Sequence, residues 1–223
     1  MESVDIRDPK VVGKLTDSTR VIMSFGSAFG GFEFAMQLRY DIMQKLGIGW
    51  DDKPAFVYLD AESLKHQKDS SYPWDQQLGI YKMSNPFWKA FYEGALDHAR
   101  NMIFLLTKQW LTSQYCWEEL QFFIDRFDKN ANIKPVFVVF PDAVDLLNQN
   151  EVALHDGSTR KPSEIWSEMK AVPGSRVIDI RTPPDNSLQT IIVEGESYQY
   201  HYQYMCSEAE LNEIINSLDL CID

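Results

Sequence analysis

The stretch TKQWLTSQYCWEELQFF, Thr107 to Phe123, decides how this chain is read. Directly before it stands MIFLL (Met102 to Leu106), an apolar run of strand length. A short polar loop follows and opens a helix in which Cys116, Leu120, Phe123 and Phe127 recur at helical spacing. One acid, Glu119, lies beside that apolar stripe. It is therefore placed near the carboxyl end of a strand, where parallel α/β sheets bind ligands.

At about 100° per residue, Glu119 falls about 40° beyond Phe123, at the edge of the stripe. Glu118 falls near the opposite face and is expected in solvent. Tyr115 sits one turn before Glu119, on the same side. Partial burial raises a carboxyl pKa and strengthens its field, so Glu119 is the better candidate for chemistry. The plainer alternative is an acid favoured by the helix dipole, and spacing alone favours that alternative.

Four more apolar runs lie outward from this stretch: VIMSF (Val21 to Phe25), AFVYL (Ala55 to Leu59), VFVVF (Val136 to Phe140) and VIDI (Val177 to Ile180). The first three of these, with MIFLL, are nearly continuous and mark strands buried on both faces. Helical stripes lie between them. One is Ala35, Leu38, Ile42 and Leu46; another is Phe87, Phe91, Ala95 and His98, opened by Asn85 and Pro86. A weaker helix runs from Ser163 to Lys170. This alternation predicts a doubly wound α/β fold with a parallel five-stranded sheet in flavodoxin-like order, 2-1-3-4-5. Its switch point lies between strands 1 and 3, at the loops leaving Phe25 and Thr107.

The first of those loops is GSAFGGF, Gly26 to Phe32. Its glycines permit close approach to a ligand, and it leads into a helix N-terminus that can hold phosphate oxygens. It is neither GxGxxG nor a Walker loop, so a flexible turn is an equal reading.

The expected organisation is a polar leader, residues 1–18, and one domain, residues 19–223. That domain carries a long polar and aromatic loop region at 60–85 and an added hairpin at 190–205, where Tyr198, Tyr200, Tyr202 and Tyr204 alternate with polar residues. This row is expected to cover a sheet edge or to form a subunit interface. A last helix, Glu208 to Leu218, is opened by a capping box of Ser207 and Glu210.

The totals narrow the function. The chain has 223 residues and a net charge of -12, with no Lys/Arg-rich run. Nucleic-acid and anionic-membrane partners are therefore not expected. Three cysteines and four histidines form neither a disulfide framework nor a metal spacing, so no metal and no bound cofactor are expected. MESVDIRDPK is not a signal peptide, and no apolar run approaches the roughly 20 residues of a membrane span, so a cytoplasmic location is expected. His98 reads as a core histidine and Cys116 as a packed thiol. Trp88 is either core or a ligand wall. Asp60 either caps the turn after strand 2 or touches a ligand.

Several of these segments together resemble the TIR (Toll/interleukin-1 receptor-like) domain family. VIMSFG (Val21 to Gly26) is similar to the family's first-strand motif. Leu59-Asp60 and Leu64 resemble the second strand entering its BB loop, and Trp88 with Ala95-Leu96 the following helix. LLTKQWLTSQYCWEEL (Leu105 to Leu120) resembles the third strand and the serine–cysteine–glutamate helix, and KPVFVVF (Lys134 to Phe140) the fourth strand. The likeness covers residues 20 to about 140. Three departures stand out: Gly26 where the family often has Arg, Tyr115 where it often has Trp, and LKHQKDSS (Leu64 to Ser71) where the BB loop usually has Gly shortly after its Leu.

The resemblance implies an NAD+ glycohydrolase or ADP-ribosyl cyclase, with NAD+ as substrate and Glu119 as the essential glutamate. It implies that Phe25, Trp88 and Tyr115 line the pocket and that Gly26 and Ser27 approach the phosphates, with Asp60 nearby. The product is expected to be ADP-ribose, a cyclic isomer or ADP-ribose joined to an acceptor. Such a nucleotide could activate a separate effector, as in antiphage systems of the Thoeris type. Homo-oligomers through TIR–TIR contacts are also implied. The rival class is a non-enzymatic interaction module. A phosphoacceptor receiver domain fits less well, because Leu106-Thr107 stand where it needs an aspartate.

Overall fold

The computed structural model describes residues 16–26, 30–49, 53, 55–59, 74–75, 80–81, 88–127, 132–185, 188–193, 196–201 and 204–220. Of these, 74–75, 80–81, 88, 90, 188–193 and 196–201 are described as backbone alone. In chain order the elements are β1 (Val21–Phe25), α1 (Gly31–Lys45), β2 (Val57–Tyr58), β3 (Trp74–Asp75), β4 (Ile80–Tyr81), α2 (Trp88–His98) and β5 (Asn101–Leu106). There follow α3 (Lys108–Thr112), α4 (Gln114–Phe127), β6 (Lys134–Val139), α5 (Pro141–Leu147), β7 (Val152–Ala153), β8 (Thr159–Arg160), α6 (Pro162–Ala171) and β9 (Arg176–Asp179). The chain ends with β10 (Leu188–Val193), β11 (Glu196–His201) and α7 (Glu208–Ser217).

Five strands form one parallel sheet in the order β2-β1-β5-β6-β9, the flavodoxin-like order expected from the sequence. Side chains alternate across it, as strand geometry requires. Ile22, Met102, Phe104, Leu106, Phe137 and Val139 enter one core beneath α2, α3 and α4. Val21, Met23, Ile103, Leu105, Val136 and Val138 enter the other, beneath α1 and α7. Each buried Val, Leu, Ile or Phe contributes about 1.5–3 kcal/mol, so the two layers hold the sheet from both sides.

Polar clamps finish the frame. Asn101 is buried and exchanges two hydrogen bonds with the backbone of Asp219, at 2.9 and 3.0 Å. Lys134 adds an ion pair to Asp219 at 2.9 Å. Buried Arg39 on α1 donates to the carbonyl of Val57 at 3.1 Å, tying the helix to the short edge strand β2.

The structure corrects several expectations. The second strand shrinks from Ala55–Leu59 to Val57–Tyr58, although all five residues are buried. The polar residues after Leu106 form a short helix, α3, before α4 begins. Helix α5 and the small β7–β8 hairpin stand between the fourth strand and α6, where no element was expected. His98 is exposed, not a core histidine; Phe91, Tyr92, Ala95, Leu96 and Ala99 make the buried face of that segment. The tyrosine-rich hairpin pairs 188–193 with 196–201 and stops short of Tyr204. Tyr204 instead packs edge-on against Phe140, 4.9 Å between ring centroids, and donates to Asp142 at 2.8 Å. Residues 1–15 of the expected leader and Tyr202 lie outside the described residues, while Thr16 is buried.

Candidate active site

Two short-range caps shape the chain after β5. Thr107 Oγ1 accepts from the backbone N–H of Trp110 at 3.1 Å and starts α3. Ser113 ends α3, and its Oγ accepts from the Cys116 N–H at 3.4 Å at the start of α4. The break between the helices lets Trp110 turn fully into the core, edge-on to Phe104. It also aims one face of α4 at the end of β1.

Strand parity brings the acid a partner. Ser24 follows Ile22 by two residues, so it points to the core that Ile22 enters. There its hydroxyl donates to Glu119 Oε2 at 2.5 Å. The indole Nε1–H of Trp110 donates to Ser24 Oγ at 2.7 Å. Cys116, one turn before Glu119, donates its thiol to the carbonyl of Phe25 at 3.4 Å. Helix α4 is thus sewn to the carboxyl end of β1 by two side chains.

The glycines of the first loop have a steric reason. A Cβ on Gly26 would stand 2.7 Å from the Trp110 nitrogen, and one on Gly31 would stand 1.9 Å from the Gly26 carbonyl oxygen. The end of β1, the start of α1 and the start of α3 converge there, and no side chain fits between them. The family's arginine is therefore excluded at position 26 unless α3 shifts.

Electrostatics separate the nearby groups. Burial, and then the Glu119 charge, push the Cys116 thiol well above its ordinary value, so it stays protonated and is no nucleophile. Glu118 pairs with Lys89 at 2.7 Å on the outer side of α4. Glu33, in the first turn of α1, has both carboxylate oxygens buried with no side-chain partner among the described residues, and burial, against a weaker backbone contribution, raises it to about 7. The sequence marks Glu33 only as a first-turn acid, which the helix dipole would favour in solvent.

Of the residues singled out from sequence, Phe25, Gly26 and Glu119 come together. Phe25 is half-buried, with its ring 6.2 Å from that of Phe32. Tyr115 is 57% exposed and faces solvent, so it forms no enclosed wall. Trp88 opens α2, but its side chain is not described; Ser27 and Asp60 lie outside the described residues. Sequence reasoning missed Ser24 and Trp110. The available signal was a lone hydroxyl inside an apolar strand, because a buried polar group needs a partner. An open hollow of about 550 Å³ between β9 and α7 is lined by Asp179, Arg181, Thr182, Ser207 and Glu210, away from Glu119. Among the described residues no cluster of His, Cys, Asp or Glu is placed to hold a metal, and no helix is long and apolar enough to cross a membrane.

The chain is similar to the 3′ cyclic ADP-D-ribose synthase HopAM1 of Pseudomonas syringae pv. tomato (strain ATCC BAA-871 / DC3000). The two are 34% identical over 208 residues, which is 92% of this chain and 69% of that protein. No family model matches the chain, and no solved structure matches it significantly. With that identity over that span, on a five-stranded parallel sheet of flavodoxin-like order, the chain belongs to the TIR-like family of HopAM1.

Proposed function

We propose that this protein cleaves the bond between nicotinamide and ribose in NAD+ and converts the rest to ADP-ribose or a cyclic ADP-ribose. The observation that carries this reading is its relative, a protein named as a 3′ cyclic ADP-D-ribose synthase. An ADP-ribosyl cation is what remains of NAD+ once nicotinamide departs.

The chemistry suits the residues. Breaking the C1′–N bond builds positive charge on the ribose ring, as in glycoside hydrolysis. The electron pair of that bond leaves with the pyridinium nitrogen, so nicotinamide departs neutral and needs no strong acid. A carboxylate at the sugar stabilises the developing cation. Glu119, bonded to Ser24 at the carboxyl end of β1, is the residue for that task. Water at C1′ gives ADP-ribose; a hydroxyl of the same nucleotide gives a ring, and either loses its proton on attack. Phe25 and Trp88 are the proposed walls, with exposed Tyr115 at the rim and Gly26, Ser27 and Asp60 beside the rest of the dinucleotide. We extend the proposal to self-assembly through the TIR fold and to a signal role for the product. In a Thoeris-like antiphage defence that product would activate a separate effector.

The test is incubation of purified protein with NAD+. Chromatography should show nicotinamide release, and mass spectrometry should identify the nucleotide. Full turnover by a folded Glu119→Gln variant would remove Glu119 from the mechanism. Intact NAD+ after incubation at high protein concentration, with crowding agent, would sink the enzymatic reading and leave an interaction module.

A further inference from the structure

The polar side chains behind Glu119 form a chain with a fixed direction. An indole N–H can only donate, so at the 2.7 Å contact Ser24 Oγ must accept from Trp110. The serine's own proton then has to point elsewhere. Glu119 Oε2 stands 2.5 Å away, and among the described residues Ser24 Oγ has no other hydrogen-bond partner. Both Trp110 and Ser24 are completely buried, so water does not compete for either bond. A carboxylate accepts such a proton; a carboxylic acid whose O–H faced Ser24 would lose the donor and leave the serine proton without an acceptor.

We propose that Trp110 and Ser24 are positioning residues that hold Glu119 in its anionic form and in one rotamer. Under the NAD+ reading, on which this rests for its catalytic consequence, Glu119 then acts as a fixed negative charge toward the ribosyl cation. It does not serve as a proton donor to the leaving group.

Among the described residues, few ionisable groups stand on the elements packed around Glu119. Cys116 shares the helix and stays protonated. Tyr115 also shares the helix and is exposed. Strands β1 (VIMSF) and β5 (NMIFLL) carry no ionisable side chain, and α3 (KQWLT) carries only Lys108, which is exposed. Lys89 of α2 is paired with Glu118. Helix α1 brings Glu33, whose carboxyl burial raises to about 7, so pH profiles are compared in a Glu33→Gln background as well.

Two measurements test the proposal. The first is the carbon-13 titration of the Glu119 carboxyl in the protein without NAD+. Ser24→Ala should move its midpoint up by about one pH unit, and Trp110→Phe should move it less, in the same direction. The second is the pH profile of nicotinamide release. In Ser24→Ala the acid limb should shift upward with that midpoint, and kcat should fall about ten- to a hundred-fold with KM within about two-fold. An unmoved midpoint overturns the proposal, whatever happens to NAD+. So does a lower kcat with an unmoved limb, which would make Ser24 merely structural. If Ser24→Ala fails to fold, Trp110→Phe decides by the same criterion. A shifted midpoint in a protein that leaves NAD+ intact would count against the NAD+ reading alone and support the relay.

Discussion

Glu119 and Glu210 are both helix carboxylates, but the fold treats them in opposite ways. Glu210, in the first turn of α7, is surrounded by donors from its own cap, Ser207, and from Arg181 and Thr182 just after β9, 29 and 28 residues before it. Its Oε1 accepts from the N–H groups of Arg181 at 2.5 Å and Thr182 at 3.2 Å. Its Oε2 accepts from Thr182 Oγ1 at 2.5 Å and from the Ser207 N–H and Oγ at 2.7 and 2.9 Å. Slight burial raises its pKa, but the donors on Thr182, Ser207 and Arg181 outweigh it and hold the group near 2. Glu119 accepts from Ser24, 95 residues away, and the hydroxyl that donates lies inside the sheet. An acid saturated by backbone and hydroxyl donors at a helix start holds a joint together. An acid held from behind by a buried side chain at a strand's carboxyl end is, under the proposed function, the one that acts on the substrate.

The comparison breaks first at Glu119. Glu119→Gln should lower NAD+ turnover by about 10²- to 10³-fold. It should shift the melting temperature little, measured by nicotinamide release beside thermal melts. A large loss of stability with modest loss of turnover would make Glu119 the joint and erase the contrast.

Glu210→Gln should do the reverse. Losing the capping box and its donors should cost about 1–2 kcal/mol in urea unfolding, with turnover per folded molecule unchanged. The pH dependence has a definite sign. The folded value lies near 2 and the ordinary value at 4.5. The stabilisation is therefore complete above the ordinary value and is lost as pH falls from there through the folded one. The gap between wild type and Glu210→Gln should be constant at neutral pH and close in acid. A gap that widens in acid would reverse the assignment.

Smaller effects sharpen the picture. Tyr204→Phe removes the bond to Asp142 where the hairpin rejoins the sheet, and should cost about 1 kcal/mol. His98→Ala, at an exposed helix end, should change stability by less than about 0.5 kcal/mol. A larger effect would restore the core role that the sequence pattern assigned to it.

The same contrast explains what could be read in advance. The capping box was legible because Ser207 and Glu210 are three residues apart and the bonding pattern is local. The strand order was legible because apolar runs alternated with amphipathic stripes. Glu119 stood out by its place after MIFLL and by the family's motif. Helix α3 was hidden because a five-residue helix leaves almost no periodicity. His98 was misassigned because one step of about 100° separates a buried helix position from an exposed one, and helix ends turn away from the core.

Periodicity and local chemistry are properties of neighbours along the chain, so the sequence by itself determined the layers, the sheet order, the capped last helix and the acid worth watching. It could not determine which hydroxyl meets that acid. Ser24 and Glu119 belong to segments whose sidedness is set separately, and only packing β1 beneath α3 and α4 joins them. The cost of burying a serine and an indole N–H without partners then selects the arrangement in which each satisfies the next.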